Sequence, residues 1–242
     1  MCISCGCGKE HSHLHQDTQR RLQIEESLFS LNDRHAQANR AWLAERGVRL
    51  INLMASPGAG KTSLLVKTLT DLAGQVSFAV IEGDQQTSLD AERIRACGVP
   101  AVQVNTGKAC HLDAHQVGHA LAELDPPNEA LVFVENVGNL VCPAGFDLGE
   151  DKRVVLLSVS EGEDKPLKYP YMFYRADLVL ITKVDLLPHV DFLLERCIEY
   201  TRRLRPEVDV LTVSVKTGEG LERWYAWLKA LAPQAWKSVC SA

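Results

Sequence analysis

Two stretches of the chain hold residue types whose spacing points to chemistry. The first is Ala55-Ser56-Pro57-Gly58-Ala59-Gly60-Lys61-Thr62-Ser63. It follows the pattern G-x-x-x-x-G-K-[ST] with Ala55 at the first position, and it lies between an apolar run and a helical pattern, as a phosphate loop requires. Gly58 and Gly60 let backbone N–H groups, Ala59 and Ser63 included, turn towards phosphate oxygens, and the helix N-terminus adds partial positive charge. Lys61 can reach the β and γ phosphates, and the Thr62 hydroxyl can ligate Mg2+. The second stretch is the opening, MCISCGCGKEHSHLH, in which Cys2, Cys5 and Cys7 form C-x-x-C-x-C. Three thiolates and the N-terminal amine make four donors. A planar set of that kind suits Ni2+, whereas Zn2+ prefers a tetrahedron. His11, His13 and His15 form a weaker set behind them.

Further candidates stand at the ends of later apolar runs. Asp84 closes VIEGD and Glu135 closes ALVFVE, positions that face the ligand crevice of a parallel sheet. A carboxylate there can hold Mg2+ directly or through water; for Asp84 the alternative is a helix cap ahead of Thr87 and Ser88. Gly138 follows Glu135 closely enough for its amide to sense a γ-phosphate. Thr182-Lys183-Val184-Asp185 resembles the guanine motif N-K-x-D with Thr for Asn. Asp185 can accept two hydrogen bonds from guanine N1 and N2, and Lys183 can lie along the base. Lys216, in SVKTGEG, is the candidate for covering O6.

Cys110 and His111 follow one strand, and Cys142 lies in the segment after Glu135. Both segments leave the ligand edge of the sheet, so the three can meet. Thiolate, imidazole and thiolate suit Zn2+ or Ni2+, with a fourth position open to water or a second subunit; the bland alternative is a buried cysteine and an unrelated pair. Cys142 is close in sequence to Gly138, in the segment expected to move when a γ-phosphate leaves, so hydrolysis would change metal affinity. His115 and His119 either extend this surface or are ordinary exposed histidines. Cys97, Cys197 and Cys240 read as apolar filling or surface thiols.

The bulk numbers fit this picture. The 242 residues suffice for one large domain, and 46% hydrophobic with 24% charged residues is a soluble globular mix. A net charge of −5 speaks against a nucleic-acid binder. No apolar run spans a bilayer, and the start lacks the apolar core of a secretory signal. The expected address is the cytoplasm, where thiols stay reduced and cysteines serve as ligands or core.

The elements that must position these residues alternate. Residues 1–18 read as a flexible metal-binding tail and 19–46 as an amphipathic helix ended at Gly47. From 47 to 242 seven apolar runs alternate with helical patterns. They predict an α/β domain with a mostly parallel sheet covered by helices on both faces.

Taken together, CISCGCG, SPGAGKT, EGDQQTSLDAERI, the pair at 110 and 111, and ENVGNLVCP resemble the hydrogenase nickel-incorporation GTPases, the HypB family, over nearly the whole chain. The resemblance implies a P-loop fold of the SIMIBI class and slow GTP hydrolysis with Mg2+. It implies nickel at Cys2, Cys5 and Cys7 and a second zinc or nickel site at Cys110, His111 and Cys142. It also implies a homodimer formed on GTP binding, with the second metal site at the contact. Nickel would pass to a small zinc-containing chaperone on the way to the hydrogenase large subunit. No nucleic acid or membrane partner is implied. A urease-type metallochaperone GTPase and a nickel-storage protein with a vestigial nucleotide site are the alternatives.

Overall fold

The seven apolar runs become β1 (Arg49–Ala55), β2 (Phe78–Asp84), β3 (Ala101–Asn105), β4 (Leu131–Glu135), β5 (Lys152–Ser158), β6 (Leu178–Thr182) and β7 (Asp209–Val213). A computed structural model describes residues 8–84, 89–107 and 109–231, and of residues 8–26 the helical backbone alone. The strands pair in the order β3-β2-β4-β1-β5-β6-β7, and every pair is parallel. Runs such as Leu50–Ala55 and Leu131–Glu135 are buried on both sides, because helices cover both faces. β2 to β4 lie on one side of β1 and β5 to β7 on the other. The strand order therefore reverses at β1, and the crevice beyond its C-terminal end is where such a sheet receives a ligand.

On one face, α2 (Lys61–Asp71) and α9 (Leu221–Leu231) pack Leu64, Leu65, Leu69, Trp224 and Leu228 on Ile51, Leu53 and Phe133. Trp224 Nε1 satisfies itself on Thr68 Oγ1 at 2.9 Å, so the indole sits in the core without an orphaned donor. α3 (Leu89–Arg95) adds Ile94 to this layer. On the other face, α1 (Gly8–Arg46) and α4 (Ala114–Leu124) bury Leu43, Val117 and Leu121 against Leu50, Ile81 and Val132. The short helix α5 (Cys142–Gly145) leads to β5, two more, α6 (Lys165–Lys168) and α7 (Pro170–Tyr174), lead to β6, and α8 (Leu194–Leu204) buries Cys197 as apolar filling beside Met172 and Ile181. Cys240 lies outside the described residues. No helix among the described residues is long and apolar enough to cross a membrane.

α1 begins at Gly8, well before the expected start near Thr18. Residues 9–17 contain neither proline nor a β-branched side chain. Once the docked part of the helix exists, extension costs little compared with nucleation. Docking rests on two asparagines. Asn39 Nδ2 donates to the carbonyls of Ala114 (2.7 Å) and Leu148 (2.9 Å). Asn32 donates to Asp147 O (2.8 Å) and accepts from Ala114 N (2.9 Å). They join α1 to the start of α4 and to the loop after α5, the two segments that follow the candidate metal ligands. α4 starts at Ala114 because Asp113 caps it: its side chain accepts from Gln116 N while Asp113 N donates to Gln116 Oε1.

Candidate nucleotide and metal site

The loop from β1 to α2 bounds a cavity of about 490 Å³, into which Lys61, Thr62, Glu82, Asp84, Glu135 and Gly138 open. Gly58 and Gly60 have φ of 77° and 100°, a left-handed backbone that glycine adopts freely and that a phosphate-cradling loop uses, and between them Ala59 N–H is held by Ser56 O at 3.3 Å. Across the cavity, Gly138 lies so close that a Cβ would stand 3.0 Å from the Cα and N of Pro57. The segment after β4 therefore rests directly on the phosphate loop.

Glu82, which the sequence reading passed over, stands in register opposite Glu135. Both are buried, and each leaves its Oε2 without a hydrogen-bond partner. Thr62 Oγ1 donates to Glu135 Oε1 at 2.6 Å. Glu82, Asp90 and Glu135 bring carboxylate oxygens within 4.8 Å of one another, a donor set that fits a hard divalent cation. Asp84 lines the same cavity, and Asp90 is paired with Arg93 at 3.0 Å. Thr87 and Ser88, which Asp84 was also expected to cap, lie outside the described residues.

Burial, then the neighbouring Glu135 charge, pushes the Glu82 carboxyl up to about 10 from its ordinary value of 4.5. Burial raises Glu135 as well, against the pull of Lys61. Between those two values the folded protein holds a proton at Glu82 that the unfolded chain releases. Stability of the nucleotide- and metal-free protein therefore falls as pH rises through this window, by at most about 1.4 kcal/mol per pH unit for one proton. Glu82→Gln, which keeps the neutral form, should flatten this slope, and thermal unfolding from pH 5 to 9 should show the variant's advantage growing with pH. An unchanged gap would remove the cause.

The base end is built from β6 and the loop after β7. Thr182 Oγ1 donates to the carbonyl of Ala59 at 2.7 Å, so the residue replacing Asn ties this strand to the phosphate loop. Lys183 takes a left-handed conformation (φ 58°) and reaches Gly58 O at 2.7 Å. Asp185 Oδ1 accepts from Ser214 Oγ at 2.7 Å, which fixes the carboxylate. Ser214 is a second residue the sequence reading did not single out. Ala59, Ser63, Asp185, Val215 and Lys216 border a hollow of about 320 Å³.

On the α1 side, Cys110, His111 and Cys142 converge with ligand atoms within 4.8 Å of one another. Cys110 Sγ lies 3.7 Å from His111 Nδ1, and the His111 ring packs on Phe146 with centroids 3.9 Å apart. A hydrogen bond with Cys142, then burial, raises the Cys110 thiol, and burial lowers His111. The imidazole is thus held in its neutral, metal-binding form, while the thiols must give up protons to a metal. His115 and His119 are a turn apart with Nε2 atoms at 3.1 Å, and His35 of α1 lies against His115 at 4.9 Å between ring centroids. Cys2, Cys5 and Cys7 lie outside the described residues, as do the side chains of His11, His13 and His15.

Residues 49–212 match the family model described as CobW/HypB/UreG, nucleotide-binding domain. The chain is 59% identical over 210 residues to hydrogenase maturation factor HypB of Azotobacter vinelandii, covering 87% of this chain and 69% of that protein. It resembles the solved structure of HypB from Archaeoglobus fulgidus at TM-score 0.79 and 39% identity, over 84% of this chain and 98% of the other. HypB from Helicobacter pylori, solved in complex with nickel, matches at TM-score 0.76 and 40% identity, over 81% and 93%.

Proposed function

The chain belongs to the CobW/HypB/UreG nucleotide-binding family, among its hydrogenase maturation factors, and from that premise we propose a GTP-hydrolysing nickel metallochaperone that supports nickel insertion into nickel–iron hydrogenase. The observation that carries this reading is that one segment, Glu135 to Cys142, borders both the phosphate cavity and the cysteine–histidine cluster. Its fold is the α/β P-loop arrangement of the SIMIBI class.

In this reading the amides of Gly58 to Ser63 and the Lys61 ammonium hold the β and γ phosphates. Thr62 and Glu135, with Asp84 at the rim, are the residues for Mg2+, which neutralises charge on the phosphates when bound. The unpartnered buried oxygen of Glu135 fits that role. Nickel is cargo at Cys110, His111 and Cys142, a set that zinc can also occupy. A second copy supplies the remaining donor when GTP brings two chains together; Val141, 62% exposed beside Cys142, is an apolar side chain that such a contact would cover. Cys2, Cys5 and Cys7 hold nickel at the leading end. A small zinc-containing chaperone receives it in the cytoplasm and carries it towards the hydrogenase large subunit.

Guanine follows from Asp185, whose carboxylate can take both N1–H and the N2 amino group, donors that adenine lacks. Loss of a charged hydrogen-bond partner costs about 1.5–3 kcal/mol, roughly 10- to 150-fold. Asp185→Ala should therefore weaken GTP by that factor and leave ATP, already weak, unchanged in competition against a fluorescent nucleotide. Equal loss for both nucleotides, or tighter binding of ATP than GTP by the wild type, would refute the assignment.

A further inference from the structure

The residues between β4 and Cys142 do more than border two sites. Asn136 is 1% exposed, and its backbone N–H continues the β1 ladder to Leu53 O at 3.0 Å. Its side-chain oxygen accepts from Leu112 N at 3.2 Å and Val137 N at 3.0 Å, and its amide donates to Asn52 Oδ1 at 3.2 Å. Asn139, half-buried, accepts from Val141 N at 2.8 Å and donates to the carbonyl of Cys110 at 3.3 Å. The carbonyl before His111 and the amide after it are thus both held by side chains of one segment. Gly138, which rests on Pro57 of the phosphate loop, lies between the two asparagines. Leu112 makes a second contact, with its Cδ1 2.7 Å from where a Cβ on Gly83 would stand, between Glu82 and Asp84.

We propose that Asn136 and Asn139 form a clamp that transmits the state of the phosphate cavity to Cys110 and His111, so that all three metal ligands answer to the nucleotide. This rests on the nucleotide-and-nickel reading above and adds positioning residues to it. Without the clamp, movement of residues 135–142 would displace Cys142 past a stationary pair. With it, Cys110 and His111 are drawn along by hydrogen bonds to their own backbone. Asn136 anchors the end nearer the sheet through Asn52, and Asn139 governs the end nearer Cys142. The hydrogen bonds of both side chains run to backbone groups and to Asn52, with Asn139 also beside the Cys110 thiol and Asn136 on the cavity wall. Their role is therefore to place other residues.

The test is anaerobic Ni2+ titration with GDP and with a non-hydrolysable GTP analogue, in protein carrying alanine at Cys2, Cys5 and Cys7. Asn139→Asp is the diagnostic variant: it keeps the acceptor for Val141 N and the shape of the turn, but cannot donate to Cys110 O. Asn136→Ser is the second variant, and thermal unfolding checks that both fold. Coupling between two sites spans about 5- to 150-fold in affinity. The parent, whose clamp is intact, should fall in that range, and Asn139→Asp should reduce the ratio of nickel affinities to within about twofold of unity while still binding both nucleotides. A parent ratio near unity overturns the nucleotide–nickel reading itself. A parent ratio in range that survives intact in both folded variants overturns the clamp alone.

Discussion

Lys61→Ala is expected to lower GTP turnover at saturating nucleotide by about a hundredfold or more. Lys61 is the buried cation of the phosphate cavity, and its ammonium works against the upward push of burial on Glu82 and Glu135. Two effects follow from its removal. The developing charge on the transferred phosphoryl group loses a pre-placed cation, and one such group contributes on the order of 10²–10³ in rate. The two carboxyls also lose their nearest opposite charge and hold their protons more tightly, which weakens the site as a seat for Mg2+. Phosphate release measured at several Mg2+ concentrations separates the two. Magnesium should restore part of the loss and never all of it. In cells lacking the wild-type gene, the variant should fail to restore nickel–iron hydrogenase activity. Turnover within tenfold of wild type would mean that the cavity is not the reaction centre.

Cys142→Ser should lower nickel affinity at the inner site by about a hundredfold or more, measured in protein whose Cys2, Cys5 and Cys7 are alanine. Even groups that only support a ligand cost 10- to 100-fold when lost, and serine near neutral pH is an alcohol where cysteine supplies a thiolate. The substitution keeps size and helix position, so α5 and its packing on the rest of the chain should survive. Cys142 is also the first cause of the raised Cys110 thiol. The remaining cysteine should then ionise more readily, and the variant should release fewer protons per nickel bound, a difference calorimetry in two buffers can read. Unaltered nickel affinity in Cys142→Ser would place the inner site elsewhere.

The strands could be read as nearly continuous apolar runs, because a doubly covered parallel strand such as β1 or β4 has no polar face to break the pattern; the edge strands β3 and β7 are only partly buried. The phosphate loop was equally plain, since its chemistry is local. What stayed hidden is what depends on pairing between distant residues. Glu82 sits two residues before Asp84, and a strand's period of two puts them on one side. That signal was present, but only the register with Glu135 makes Glu82 a partner across the cavity. Thr182 departed from the guanine motif until its hydroxyl was placed on Ala59 O, a bond between residues far apart in sequence. Ser214, Asn136 and Asn139 are ordinary polar residues whose meaning comes from long-range contacts. The helices α5, α6 and α7 are too short for any periodicity to register.

The length of α1 has a logistical consequence. Phe29, on that helix, meets Phe146, which in turn carries His111, with ring centroids 5.2 Å and 3.9 Å apart. From Phe29 back to Gly8 a straight helix climbs about 32 Å at roughly 1.5 Å per residue. Even at full stretch, the few residues between Gly8 and Cys2 cover at most about 20 Å. As long as α1 is wound to Gly8, the residues before it are too few to retrace the helix back to Phe29. On the nickel reading proposed above, freight between the two stations would then go by a neighbouring molecule or a courier.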